Sequence, residues 1–301
     1  MRKCLFPCLV TILLSASCKK PLAEQGRATA TAKYIDAFTW VQNGTMPLVI
    51  SVPHGGTLAP DSIADRTCPN ITTAVDTYTV ELVKAIDSVA KQDYQFQPFI
   101  VLTQLRRIKL DQNRDLPEAT CSTPFKYMYW SNFHNAIDSS INTVLAKYPS
   151  CLYIDLHGHG HPIQRLELGY LISKAQLQNI SSVTIGNTSV RALAVQNGGQ
   201  TLANLITGSN SFGSIMQAKG FPTVPSAAMP FPAVADDYFD GGYNTARYTN
   251  RANVFGFQIE SNYTGVRATA AQRAQFAKAF MQSVVQYCTA NTNLSPSTFG
   301  E

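Results

Sequence analysis

Three of the chain's five histidines fall within Asp155-Leu156-His157-Gly158-His159-Gly160-His161, and a fourth lies in Val52-Pro53-His54-Gly55-Gly56. A carboxylate closes a third short stretch, Gln258-Ile259-Glu260-Ser261. A catalytic zinc takes three N/O ligands and keeps one position open, so two histidines and a carboxylate from separate strands are a natural set. A further carboxylate beside the ion serves as general base for its bound water. Each piece alone has a plainer reading. One histidine near a strand end is usually structural, His-Gly-His-Gly-His also suits a surface tract that scavenges metal, and Glu260 suits a salt bridge. A fourth stretch holds Arg107 and then Lys109-Leu110-Asp111-Gln112-Asn113-Arg114-Asp115. An Asn-Arg pair offers an amide and a planar fork, which suits a substrate carboxylate, although the segment alone equally suits a solvated charged loop.

Short apolar runs lie just before these residues. Pro47–Pro53, Phe99–Leu105, Leu152–Leu156, Tyr170–Ile172 and Phe255–Ile259 are strand-length and rich in β-branched or aromatic residues. Between them, Val80, Val83, Ile86 and Val89 recur at helical spacing, as do Phe133, Ile137, Ile141 and Val144. Arg273–Tyr287 reads as a last amphipathic helix, with Phe276, Phe280, Val284 and Tyr287 on one face. Strands alternating with helices predict an α/β fold of three layers, a mainly parallel or mixed central sheet with helices on both faces. Ligands of such sheets bind off the carboxyl ends of strands, which is where His54, His157 and Glu260 fall.

The ordered set resembles the N-formylglutamate amidohydrolase family. Pro53-His54-Gly55-Gly56-Thr57 is similar to its Pro-His-Ser-Gly-Thr segment, with glycine for serine. Arg107 and Asp111-Gln112-Asn113-Arg114 resemble its Arg…Asp-Leu-Asn-Arg. Asp155-Leu156-His157 resembles Asp-x-His, Gly241-Gly242-Tyr243-Asn244-Thr245 resembles Gly-Gly-Tyr-Ile-Thr, and Gln258-Ile259-Glu260 resembles Gln-Leu-Glu. All occur in family order between residues 47 and 263. The resemblance, shared with zinc carboxypeptidases, implies their phosphorylase/hydrolase-like fold and one zinc per chain at His54 and His157. It implies Glu260 as base and later proton donor, Arg107 on the oxyanion, and Asn113 with Arg114 on the substrate carboxylate. Tyr243 and Arg247 would add substrate contacts. Carboxypeptidases place their middle ligand three residues after the first histidine, which here is Thr57. Asp76 fits the family's later acid best, with Asp61 and Asp65 as rivals and a helix N-cap as the plainer role for Asp76. Asp155 fits a supporting position behind a ligand, and His159 and His161 have no counterpart.

The chain has 301 residues, 45% hydrophobic and 14% charged, enough for a sizeable core and against disorder. A net charge of +5 from scattered basic residues does not make a nucleic-acid surface. Arg2 and Lys3, the apolar Leu5–Leu14 and Ser15-Ala16-Ser17-Cys18 read as an export signal over 1–17, too short to span a bilayer. Cys18 follows as a lipid-anchored first residue, 18–34 as a tether, 35–290 as the zinc hydrolase domain and 291–301 as a tail. The expected location is the cell envelope, with membrane contact through the lipid only. Four further cysteines, Cys68, Cys121, Cys151 and Cys288, allow two bridges, and Cys151 equally reads as a buried thiol. N-formylglutamate belongs to cytoplasmic histidine breakdown, so an exported relative is expected to act on another small carboxylate-bearing acyl-amino acid. A peptidase of peptide or cell-wall ends, and a binding lipoprotein without activity, are the alternatives. Glu260 and Arg107 favour an enzyme, since a binder needs neither base nor oxyanion donor.

Overall fold

A computed structural model of the chain describes residues 30–196, 200–295 and 299. The leader over 1–17 and Cys18 lie outside them. Eight strands form one sheet: β1 (Thr31–Tyr34), β2 (Thr39–Asn43), β3 (Leu48–Val52), β4 (Phe99–Thr103), β5 (Cys151–Gly158), β6 (Leu166–Gly169), β7 (Thr223–Val224) and β8 (Val254–Ser261). Their order is β1-β2-β4-β3-β5-β8-β6-β7. The central four, β4-β3-β5-β8, run parallel, while β1, β2 and β6 pair antiparallel with their neighbours toward the centre. The helices are α1 (Thr79–Val89), α2 (Leu116–Thr120), α3 (Tyr127–Leu145), α4 (Lys174–Gln178), α5 (Arg191–Gln196), α6 (Leu202–Thr207), α7 (Phe212–Ala218), α8 (Tyr243–Thr249) and α9 (Ala270–Asn291). The α/β class with a mixed sheet is the expected one.

The central strands are buried on both faces, which is why they read as unbroken apolar runs rather than alternating ones. In β8, Phe255 and Phe257 turn toward Tyr287 of α9, and Phe257 also meets Phe212 of α7. On β5 the alternate face presents Tyr153 to Tyr248 of α8. Helix α1 packs on α9, and α3 lies across β2, β4 and β3, so helices cover both faces. Helix α9 starts three residues before the expected Arg273, because Thr269 and Gln272 form a reciprocal capping box there.

Three expectations need adjusting. Tyr170–Ile172 is not a strand. Leu171 takes a left-handed φ of 62°, which breaks the extended run, and the strand of this region is β6 just before it. Thr31–Tyr34, read as the end of a tether, pairs with β2 as the exposed edge of the sheet. Beyond residue 290, Leu294 and Phe299 are buried, with Phe299 edge-on to Phe96.

Cys68 and Cys121 are disulfide-bonded across 53 positions of sequence, while Cys151 and Cys288 are free and buried. Closing a loop of that length removes denatured-state entropy equivalent to roughly 4 kcal/mol on the chain-entropy relation. Cys68→Ser with Cys121→Ser should therefore lower the unfolding free energy by up to that amount, read as a lower urea midpoint. Unchanged midpoints for the double variant would show that the bridge contributes nothing.

Candidate active site

The parallel strands β3 and β5 are adjacent, and each carries a histidine at its carboxyl end. His157 is the penultimate residue of β5, and His54 lies two residues past β3. Their Nδ1 atoms face each other at 3.1 Å. Asp76 completes the group, with Oδ2 3.0 Å from His157 Nδ1 and 3.6 Å from His54 Nδ1. Asp76 is not a helix cap: α1 has no side-chain cap, and the Asp76 carboxylate accepts the Gly158 N–H instead. The rivals are elsewhere, Asp65 on Lys109 and Asp61 in an exposed turn.

Each ring commits its other nitrogen to a buried carboxylate. His54 Nε2 lies 2.6 Å from Asp111 Oδ1, and His157 Nε2 lies 2.8 Å from Asp155 Oδ2. A carboxylate accepts, so each Nε2 carries a hydrogen, and each Nδ1 is left to share a proton with Asp76 or to offer its lone pair to a cation that replaces that proton. Both Nδ1 atoms and an Asp76 oxygen converge within 4.8 Å. This donor set can hold a metal ion, and its outer carboxylates are the kind that orient metal-bound imidazoles.

The carboxylates are themselves anchored. Asp111 receives Arg107 Nε at 2.8 Å and the Asn113 N–H at 3.0 Å, and Arg66 comes within 3.6 Å. Asp155 receives Ser51 Oγ, and the Asn244 amide lies 3.4 Å away. Burial opposes charge on Asp111, yet His54 and Arg107 outweigh it and hold the carboxyl well below its usual range. Asp76 is lowered in the same way, against burial, by hydrogen bonds from His157 and His54. Burial also works against a charged His157, but Asp155 and Asp76 outweigh it and raise the imidazole well above its ordinary value.

Glu260 stands in register with His157 across the β5–β8 pair, on the same face. Burial pushes its carboxyl up to about 8; nearby Asp76 and Glu167 add to this, while His157 opposes it. Gln258 Nε2 donates to its Oε1 at 2.9 Å. Together with His54, Asp76 and His157, Glu260, Arg107, Asn113 and Arg114 line one cleft of about 590 Å³. Asn113 accepts the Asn244 N–H at 2.8 Å and lays its amide against Gly242, where a Cβ would collide with it. Tyr243 and Arg247 do not line the cleft. They bond to each other on α8, with Arg247 over the Trp130 ring and against Asp138.

Sequence reasoning gave no role to Arg66 or Arg267. Arg66 has no motif around it. Arg267 donates to Thr77 O, to His159 O at 2.7 Å and to Ser261 O at 3.0 Å. A Cβ on Gly158 would fall on its guanidinium, which is a reason for glycine after His157.

No protein-family model matches the chain, and neither does any curated protein sequence. Among solved structures it is similar to an N-formylglutamate amidohydrolase from Ralstonia eutropha JMP134. That likeness covers 85% of this chain and 97% of that one, at 13% identity and a TM-score of 0.50. The two share a fold. The gene product Atu2144 from Agrobacterium tumefaciens is also similar, at 10% identity and a TM-score of 0.46, over 82% of this chain and 94% of that one.

Two outcomes follow from this geometry. Asp111→Asn and Asp155→Asn should each weaken metal binding by roughly 10- to 100-fold, and His54→Ala or His157→Ala should abolish it, read by chelator competition. Metal lost only from a His159→Ala/His161→Ala double variant would move the site to the glycine-histidine loop. The second outcome concerns Glu260 in metal-free protein. Its folded pKa of about 8 lies above the ordinary 4.5, so between those values the folded state binds the extra proton. Stability therefore falls as pH rises through that window, and the penalty is constant above it. Glu260→Gln removes the penalty, so its advantage in urea midpoint should grow from pH 4.5 to 8 and then level off. A difference independent of pH would refute the raised pKa.

Proposed function

We propose that the chain is a zinc-dependent amidohydrolase of the cell envelope that cleaves the amide bond of a small N-acyl amino acid bearing a free carboxylate. The observation that carries this reading is the convergence of His54 Nδ1, His157 Nδ1 and Asp76 Oδ2 in a cleft that also receives Glu260, Arg107 and Arg114. Two imidazoles and a carboxylate suit zinc and leave a coordination position open. When bound, zinc supplies Lewis acidity that polarises a carbonyl and makes water a nucleophile near neutral pH.

The chain's own groups do the rest. Glu260 takes the proton of the attacking water and returns it to the leaving amine. A cation at the His54–Asp76–His157 cluster favours the ionised form of Glu260 that this needs. Arg107 spends Nε on Asp111, which fixes its plane and leaves its terminal N–H groups for the carbonyl oxygen as charge develops. Arg114 uses Nε on Glu118 and Nη1 on the Asn113 carbonyl, leaving Nη2 at the rim for a substrate carboxylate. The N-formylglutamate amidohydrolase that shares the fold supports this reaction class. Export with Cys18 as lipid anchor is supported by the Leu5–Leu14 core before it and by the Cys68–Cys121 bridge, which suits an oxidising compartment.

Purified, metal-loaded protein screened against N-acyl amino acids and short peptides tests the reading. Glu260→Gln should keep its metal and lose about 10²–10⁴-fold in kcat. Arg107→Ala should lose roughly 10²–10³-fold, also in kcat. Arg114→Lys should act mainly on KM, and only for substrates with a free carboxylate. Normal turnover by Glu260→Gln sinks the mechanism; equal use of free and amidated substrates removes carboxylate recognition.

A further inference from the structure

His159 and His161 line the cleft but take no part in the cluster above. With Glu167 they form a second group near enough to hold a cation. The hydrogen bonds argue for something else. His159 Nε2 donates to Arg165 O at 2.8 Å, and its Nδ1 accepts the His161 N–H at 3.1 Å, so neither of its ring nitrogens is left for a metal.

His161 is held differently. Its Nδ1 lies 3.0 Å from Glu167 Oε1, and the other Glu167 oxygen accepts the Phe239 N–H at 3.0 Å. Both oxygens of this fully buried side chain accept, which places the ring hydrogen on Nδ1. The ring stacks on Phe239, with centroids 4.7 Å apart and planes 16° apart. Its Nε2 has no hydrogen-bond partner among the described residues, and the side chain remains 17% exposed. The buried Arg165, with Nε 3.8 Å from Glu167 Oε1, already balances this carboxylate, so folding does not call for a histidine beside it. A carboxylate that fixes one imidazole nitrogen instead determines what the other offers.

The sheet order says where that nitrogen stands. Arg107, Asn113 and Arg114 follow β4, while Glu167 lies in β6, opposite Glu260 in register. His54 and His157 come from β3 and β5 between them. The cleft thus has an arginine end and a His161 end, with the cluster and Glu260 in the middle.

Resting on the hydrolase reading above, we propose that His161 is the substrate-binding residue for the acyl half. Its Nε2 hydrogen-bonds a polar group on the far side of the scissile amide from the carboxylate. The preferred substrates are dipeptide-like amides whose acyl half carries its own amine or hydroxyl, not formyl or alkanoyl amino acids. An alkanoyl group of equal size covers Nε2 without pairing it, which costs roughly 10- to 100-fold in kcat/KM. Glu167 is a positioning residue that holds the ring.

Three amides of one amino acid test this: glycyl, glycolyl and propionyl glutamate, which match in size and differ in the terminal amine, hydroxyl or methyl. Metal-loaded parent should prefer glycyl or glycolyl over propionyl by roughly 10- to 100-fold, chiefly through KM. His161→Asn keeps a donor for Glu167 but lacks Nε2, and it should bring the ratio to within about threefold, as should His161→Ala. Glu167→Gln, which loosens the ring, should lower the ratio part-way, and metal content should stay near one in every variant. A ratio unchanged in both His161 variants overturns the proposal, as does a second metal equivalent that those variants lose. Should neither these three compounds nor any N-acyl amino acid or peptide of the wider screen turn over, the hydrolase reading fails on its own. Calorimetric Kd values for the same compounds then read His161 directly, with the same collapse of preference expected and no discrimination in the parent overturning it.

Discussion

Two imidazole nitrogens 3.1 Å apart, each with its ring's other nitrogen committed to a buried carboxylate, point together with an Asp76 oxygen at one place. In a low-dielectric interior such an arrangement calls for positive charge at its centre, whether a proton on an imidazole or a bound cation. The surroundings are organised around that requirement. Asp111 is balanced by Arg107 and Arg66, and Asp155 by hydroxyl and amide donors, so each ring is held at Nε2 with its Nδ1 facing the cluster. Adjacent parallel strands are what bring the rings together, because β3 and β5 end at the same edge of the sheet.

Holding the loops in place is a separate task, and one guanidinium does much of it. Arg267 satisfies carbonyls of Thr77, His159 and Ser261, one from each loop that follows Asp76, His157 and Glu260. The Thr77 and His159 carbonyls lie beyond the strand ladders, while Ser261 O, at the end of β8, also accepts the His159 N–H. Arg267 comes after β8, so the last strand of the site also supplies the tie between the loops.

The central strands and the three long helices were legible because burial on two faces or on one stripe leaves a pattern in the residues themselves. His54, His157, Glu260, Arg107, Asn113 and Arg114 were legible by type and order, and Asp76 by order alone. Other features depend on distant partners and leave no local trace. Leu166-Glu167-Leu168-Gly169 puts a charge in a buried strand, and only the fold reveals that His161 and the Phe239 backbone receive it. Arg66 looks like any surface arginine until Asp111 is placed beside it. Tyr170–Ile172 misled because Tyr170 and Ile172 are buried without being paired in the sheet. Gly241-Gly242-Tyr243-Asn244 meets the cleft through other groups than the side chains the motif suggests. Its contribution is the space at Gly242 and the Asn244 N–H that hold Asn113, while Tyr243 and Arg247 stay on the outer side of α8.

The Cys68–Cys121 bridge divides the site in two. It closes a covalent ring that contains Asp76, Arg107, Asp111, Asn113 and Arg114, while His54, His157, Glu260 and His161 lie outside it. The ring carries the groups assigned to the carboxylate and the oxyanion, together with one ligand of the cluster. The strands outside it carry the two imidazoles and Glu260. Because Cys121 follows Arg114 by seven residues and Cys68 precedes Asp76 by eight, one crosslink limits how far the arginine-bearing loop and the Asp76 loop can part.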